Sequence, residues 1–325
     1  MLIQDLTKMN NSVKVGISAC LLGQKVRYDG GHKLDRYLRD LLGKYVRLIP
    51  VCPEVESGMS IPREAMHLVG DAKDPRLLTI TSGKDYTEVM RGWAGTKLKE
   101  LEEEKLSGFI FKSKSPSSGM ERVKLYNDKG RVVNNKGRGI FADMFMQHFP
   151  LIPVEDDGRL NDPMLRENFI ARIFVFGRWL ELLDQGLSAG RLVDFHTRHK
   201  LLVMSHSVEA YRELGRMVAS PKDFNPDDLA REYITRLMSA LKLYSTVKKN
   251  VNVLQHVAGY FKKNLSRDEK EELQEIIGSY AKSLVPLIVP VTLLNHYVRK
   301  YDQAYLKKQV YLNPHPAELK LRNHV

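Results

Sequence analysis

Three short apolar runs punctuate the first half of the chain. Val13–Ser18 (VKVGIS), Tyr45–Pro53 (YVRLIPVCP) and Leu106–Ser113 (LSGFIFKS) are each followed by Gly, Pro or Ser and then by a helical stretch. Such runs read as strands, and their alternation with helices predicts an α/β domain on an open parallel, Rossmann-like sheet. From Asn161 the period changes. Asp162-Pro163 signals a helix start, and Leu165, Phe169, Ile173, Phe176, Leu180 and Leu183 recur at spacings of three and four, one buried helical face. Helical periodicity continues over Leu192–His206, Val208–Val218, Asp227–Leu243, Asn250–Phe261, Arg267–Leu284 and Thr292–Lys300.

The expected organisation is an α/β domain over residues 1–160, a connecting helix and linker over 161–190, and an all-α domain over 191–325. Asn313-Pro314-His315-Pro316 cannot be helix and is expected as an extended tail packed back on the body. A length of 325 residues accommodates two domains of ordinary size. The longest apolar run, Leu284–Leu294, is broken by Pro286 and Pro290 and is too short to span a bilayer. MLIQDLTKMN lacks the apolar core of a signal peptide, so a cytoplasmic protein with reduced thiols is expected.

Charge adds a partner class. Lys and Arg number 51 against 39 Asp and Glu, a net of +12, of which residues 191–325 hold +8 and seven of the ten histidines. A basic helical domain beside an α/β domain suggests recognition on one side and chemistry on the other, with nucleic acid the first polyanion to consider. A solvated surface with a lysine surplus is the plain alternative.

Only two cysteines are present, too few for a disulfide scaffold or a zinc finger. Both stand where chemistry is expected, because ligands of open parallel sheets sit beyond the carboxyl ends of the strands. Cys20 lies in SACLLG and Cys52 in VCPE, although a free cysteine is most often a small buried hydrophobe. After Cys20, the turn Asp29-Gly30-Gly31 carries Arg27, His32 and Lys33, a polar substrate loop or an ordinary surface turn. Glu54, two residues beyond Cys52, could serve as a general base or cap a helix. Ser115, Ser117 and Ser118 bring three hydroxyls to the third strand end, as site groups or as a serine cap.

In the helical half, Arg198, Lys200, Arg212, Arg216, Lys248, Lys249, Lys262 and Lys263 interleave with Tyr211, Asn252, His256 and Tyr260, a mixture suited to phosphates and an unstacked base. His196, His199 and His206 are read as phosphate contacts or helix-packing groups rather than metal ligands, since a helix rich in cations such as Arg198 and Lys200 is a poor metal site.

Together SACLLG…VRYDGGHK, PVCPEVESGMSIPRE, TSGKDYTEVM, KSPSSGM and KGRGIFA resemble the thiouracil desulfidase family of iron–sulfur proteins. LVDFHTRHKLLVMSHS, YRELGRMVA, NVLQHVAGYF, VPLIVPVTLL and YLNPHPAELKLRN resemble the YbgA-type domain. This domain order is similar to that of fused tRNA 4-thiouridine desulfidases. The resemblance implies an enzyme that converts 4-thiouridine in tRNA to uridine with release of sulfide, the helical part holding tRNA; no protein partner is predicted. It also implies a [4Fe-4S] cluster on three cysteines, whose free iron captures the thiocarbonyl sulfur. Cys20 and Cys52 match two of those ligands, and Glu54 and Ser115 match residues that handle protons or orient substrate. The third ligand position, cysteine in the family's S-P-S-C-G, is Ser118 here, so a weak or absent cluster is expected. Two alternatives follow: a desulfidase of free thiouracil or thiouridine nucleotides, and a non-catalytic tRNA-binding protein.

Overall fold

The computed structural model describes residues 13–219 and 225–324; the N-terminal stretch read for a leader lies outside them. The chain divides into two compact units, one ending at Leu165 and the other beginning at Arg166.

In the first unit the described strands are β1 (Lys14–Ser18), β2 (Arg47–Val51), β3 (Met66–Gly70), β4 (Pro75–Thr79), β5 (Gly108–Phe111), β6 (Val123–Tyr126), β7 (Val132–Gly137) and β8 (Val154–Asp156). They are accompanied by α1 (Pro53–Glu56), α2 (Thr87–Glu104) and α3 (Ile140–His148). One sheet runs β2-β1-β5-β8 with every pairing parallel. Its three leading strands are the three apolar runs. They pair closely enough that a Cβ at Gly16 would strike the Phe109 ring. Phe109, Phe111, Phe141 and Phe145 pack with Leu98 and Leu101 of α2 in the core behind this sheet. Each buried aromatic contributes about 1.5–3 kcal/mol, which fixes the strand ends in place.

A second sheet, β4-β3-β6-β7, was not legible in the hydrophobic pattern. Its β3–β4 and β6–β7 pairs are antiparallel and β3–β6 is parallel. Leu68, Leu77, Met90, Val123, Leu125 and Ile140 form its core. The fold class is thus an α/β unit, with a mixed sheet added to the parallel one.

The second unit is helical: α4 (Pro163–Asp184), α5 (Ala189–His206), α6 (Val208–Ala219), α7 (Pro226–Leu241), α8 (Val247–Ala258), α9 (Arg267–Ala281), α10 (Ile288–Lys300) and the short α11 (Ala304–Lys307). Asp162 Oδ1 accepts the amides of Met164 and Leu165, the N-cap that starts α4. A narrow stripe was expected on this helix. Instead Phe169–Gly177 is buried on all sides, while Leu183 is exposed and Leu182 turns inward in its place. The Asn313–Pro316 segment packs back through turns: His315 is buried and the Pro314 carbonyl accepts from Arg178 at 2.7 Å. Among the described residues no helix is long and apolar enough to cross a membrane.

Candidate functional site

The carboxyl ends of β1, β2 and β5 open onto one cavity of about 260 Å3, lined among others by Cys20, Cys52, Glu54, Ser115 and Ser118. Parallel pairing brings these separate segments to one edge, and two contacts fasten them there. The Ser18 hydroxyl accepts the Lys112 amide at 2.8 Å, tying the end of β1 to the end of β5. Lys33 N donates to the Cys20 carbonyl at 2.9 Å and returns the following loop to the strand end. Cys52 is the N-cap of α1 with Pro53 in the first position, and its amide donates to Glu56 Oε1 at 2.7 Å.

The serine loop is held by backbone. Ser115 Oγ accepts the Ser118 amide at 3.2 Å, and the amides of Ile140 and Ala142 in the first turn of α3 donate to the Pro116 and Ser117 carbonyls. A Cβ at Gly119 would lie 2.7 Å from the Ser115 carbonyl oxygen, and one at Gly139 would collide with the Ser117 backbone, so both positions require glycine.

Glu54 joins the two halves of the site. Its Oε1 accepts the Ser117 hydroxyl at 2.6 Å, Ser117 meets Ser115 at 3.0 Å, and Oε2 accepts the Cys52 thiol at 3.5 Å. Arg63 stands 3.9 Å from Oε2 and donates to the Val26 carbonyl at 3.0 Å, with its own amide on the Tyr28 carbonyl. It therefore straps the loop around Arg27 against Glu54. Of the anticipated substrate loop, Arg27 lines the cavity, whereas Asp29, His32 and Lys33 are absent from its wall. Asp29 is engaged in its own turn, accepting from Gly31, and that backbone bond together with Arg27 lowers its carboxyl pKa. Sequence reading missed Ser117 as the direct partner of Glu54, and missed Tyr28, Arg63 and Lys112 on the wall. Arg63 had one available signal, its place in the SIPRE segment beside Cys52.

Both thiols are buried and free of disulfide. Burial, and secondarily the Glu54 charge, pushes Cys20 up to about 11 and Cys52 up to about 12. Because the thiolate is the nucleophile, alkylation by iodoacetamide at pH 8 should run about two to three orders of magnitude slower than for a free cysteine near pKa 8.5. The rate should climb about tenfold per pH unit to beyond pH 10. Labelling of both cysteines at the free-cysteine rate would contradict this environment.

The donor set decides what the cavity can hold. Fe–S clusters are bound by thiolates, and this wall offers two thiols and one hydroxyl, a hard donor that does not ionise like a thiol. Among the described residues no group of three or more His, Cys, Asp or Glu is placed to hold a metal ion. The residues present do not fit a cluster held by three thiolates.

In the helical unit, Lys200, Tyr211, Arg212 and Arg216 line an open groove of α5 and α6 with His196 at its wall. Lys200 stands 5.1 Å from the Tyr305 ring, which stacks on Tyr260. Arg198 is turned toward Asp194 at 3.6 Å. Lys248, Lys262 and Lys263 are exposed. Lys249 instead donates to the His206 and Tyr244 carbonyls and serves the fold. His196, His199 and His206 are buried, bonded to Tyr233, Phe195 and Leu243, and held neutral by burial well below the usual imidazole range. They are packing groups.

Comparison with known proteins divides the chain in the same way. A family model described as 2-thiouracil desulfurase matches residues 15–157, and one described as a protein of unknown function, DUF1722, matches residues 200–316. The uncharacterized protein YbgA of Escherichia coli (strain K12) is 34% identical over 158 residues, 48% of this chain and 94% of its own length. The uncharacterized protein YbbK of Bacillus subtilis (strain 168) is 30% identical over 136 residues, 40% of this chain and 88% of its own. A solved [4Fe-4S]-dependent thiouracil desulfidase, TudS, is 30% identical, covering 46% of this chain and 94% of that one with a TM-score of 0.39.

Proposed function

Because the chain belongs to the families of YbbK and YbgA, joining a 2-thiouracil desulfurase domain to a DUF1722 domain, we propose that it removes sulfur from 4-thiouridine carried in tRNA. The reaction exchanges C=S and water for C=O and hydrogen sulfide, leaving uridine. The observation that carries this reading is the convergence of Cys20, Cys52, Glu54 and Ser115 on one cavity at the strand ends. Glu54 is the carboxylate bonded to both a thiol and the serine loop, and in this reading it takes the proton of the attacking water. Ser115 lines the same cavity, and in this reading it orients the ring. A cavity of about 260 Å3 admits a base and not a duplex, so the nucleotide must leave its stack, which costs a few kcal/mol. Phosphate contacts from a unit of net +8 (25 cations and 17 carboxylates over residues 166–325) would offset that cost. A reducing cytoplasm suits two free thiols.

Ser118 leaves the family's iron–sulfur group one thiolate short, so we propose that this chain holds it weakly. The same residue favours a second reading, a tRNA-binding protein without catalysis. Sulfide release from thiolated tRNA and from free thiouracil, by the chain and by Ser118→Cys, separates the readings. The expected result is faster release from tRNA; equal or faster release from the free base would favour a free-pyrimidine desulfidase, and none from either would favour the binding protein. Affinity for bulk tRNA should also fall by roughly two orders of magnitude or more between about 50 and 200 mM salt. A flat salt dependence would remove the RNA partner.

A further inference from the structure

Outside the cavity and the helical groove, one segment concentrates charge more than any other in the first unit. The hairpin over residues 122–138 carries Arg122, Lys124, Lys129, Arg131, Lys136 and Arg138 against the single carboxylate of Asp128, a net of +5. Residues 1–165 as a whole hold 26 cations and 22 carboxylates, a net of +4, so everything else in that stretch sums to −1. All six cations are exposed. Arg122 and Arg138 at the base have carboxylate neighbours, Glu121 at 3.4 Å and Asp143 at 3.1 Å, and Asp128 is taken by Arg76 at 3.0 Å. Among the described residues no carboxylate pairs with Lys124, Lys129, Arg131 or Lys136.

The backbone presents these four cations in a fixed array. Asn127 Oδ1 accepts the amides of Lys129 and Arg131, and Gly130 at φ +70° closes the turn, so the tip is pinned rather than loose. Along the strands, Val123 pairs with Gly137 and Leu125 with Asn134, and the bulge between them sets Lys124 opposite Asn135 and Lys136. Like charges opposed across strands are destabilising, and here no intervening acid relieves them. The base of the hairpin is part of the site's own framework. Gly139 N donates to the Gly119 carbonyl at 2.8 Å, and β6 pairs with β3, whose Met66 lines the cavity. Strands of this length carry the tip roughly 15–20 Å from that base.

We propose that this hairpin is an RNA-binding arm of the first unit, gripping the phosphodiester backbone of the substrate RNA through Lys124, Lys129, Arg131 and Lys136 while the flipped base enters the cavity. The proposal rests on the reading that the substrate base is carried in RNA. A lysine-guarded edge strand would account for one or two of these charges, since β7 is the edge of its sheet. It does not account for cations at the turn, where no ladder is exposed.

The test is binding of labelled bulk tRNA from about 50 to 200 mM salt, comparing the full chain with a variant carrying Lys124→Gln, Lys129→Gln, Arg131→Gln and Lys136→Gln. Loss of four phosphate contacts should lower the slope of log affinity against log salt by about 3 and weaken low-salt binding at least about tenfold. Charge-keeping replacements (Lys→Arg at the three lysines, Arg131→Lys) should bind like the parent. If the quadruple variant does not fold, Lys129→Gln with Arg131→Gln alone, both at the exposed turn, should lower the slope by about 1.5–2. Unchanged affinity and slope in a folded variant, with the parent binding tRNA, overturns the arm and leaves the RNA reading intact. No binding by the parent overturns both.

Discussion

Ser118→Cys is expected to convert a chain that takes up little iron into one holding about four irons and four acid-labile sulfides after anaerobic reconstitution, the content of one [4Fe-4S] group. Ser118 is 3% exposed and shares its wall with Cys20 and Cys52. Its backbone position depends on bonds outside its own side chain: its amide on Ser115 Oγ at 3.2 Å and the Gly119 amide on the Ser115 carbonyl at 2.8 Å. Exchange of oxygen for sulfur therefore changes the donor and leaves its place unchanged. A hydroxyl is hard and stays protonated, whereas a thiol can release its proton and supply a soft ligand. Cys20 and Cys52, raised by burial and then by Glu54 to about 11 and about 12, must each lose a proton to bind. Since those values lie above working pH, loading should go further at pH 8.5 than at pH 7. Iron content and visible absorbance read this without reference to activity. Four irons in the serine form would show the hydroxyl to be an adequate ligand. An iron-free cysteine variant with unchanged circular dichroism would deny the cavity this cofactor and favour the binding protein.

How far such a site could be read in advance depended on the range of each interaction. β1 and β5 were legible because strands buried on both faces write continuous apolar runs, and β2, half-exposed at the sheet edge, because its β-branched run closes at a proline. The all-α half was legible because helix faces repeat locally. The second sheet was not, because its strands write no continuous apolar run: β6 alternates buried Val123 and Leu125 with exposed Lys124, and most of β7 is exposed. Cys20, Cys52, Glu54 and Ser115 could be placed because each follows a strand end. The bond of Ser117 to Glu54 and the place of Arg63 could not, since those partners lie 63 and 37 residues away and only the fold supplies them. The same limit holds at Lys249, whose bonds to the carbonyls of His206 and Tyr244 only the fold supplies.

Glu54→Gln, made together with Ser118→Cys, should reduce sulfide release by about 10²–10⁴-fold, the range for loss of a general base, and at the same time make the cysteines of the cluster-free protein more reactive. The two effects have opposite signs for one reason. Glutamine keeps the shape and an oxygen able to accept the Ser117 hydroxyl, now held at 2.6 Å, so the serine loop should stay in place. What disappears is a negative charge and the acceptor that takes the Cys52 thiol at 3.5 Å. That charge is the second cause, after burial, of the raised thiol values at both Cys20 and Cys52. Without it both values fall, the thiolate fraction at pH 8 rises, and alkylation should accelerate several-fold. Arg63, 3.9 Å from Glu54, would meanwhile lose its counter-charge, adding to the positive potential at Cys52 and acting in the same direction. A merely structural role for Glu54 predicts otherwise: the loop would loosen, thermal stability would fall, and a drop in activity would accompany it. Lost activity with a lowered Tm and unchanged thiol reactivity would therefore remove Glu54 from the chemistry. Faster alkylation at an unchanged Tm, with activity gone, would place its charge at the reacting centre.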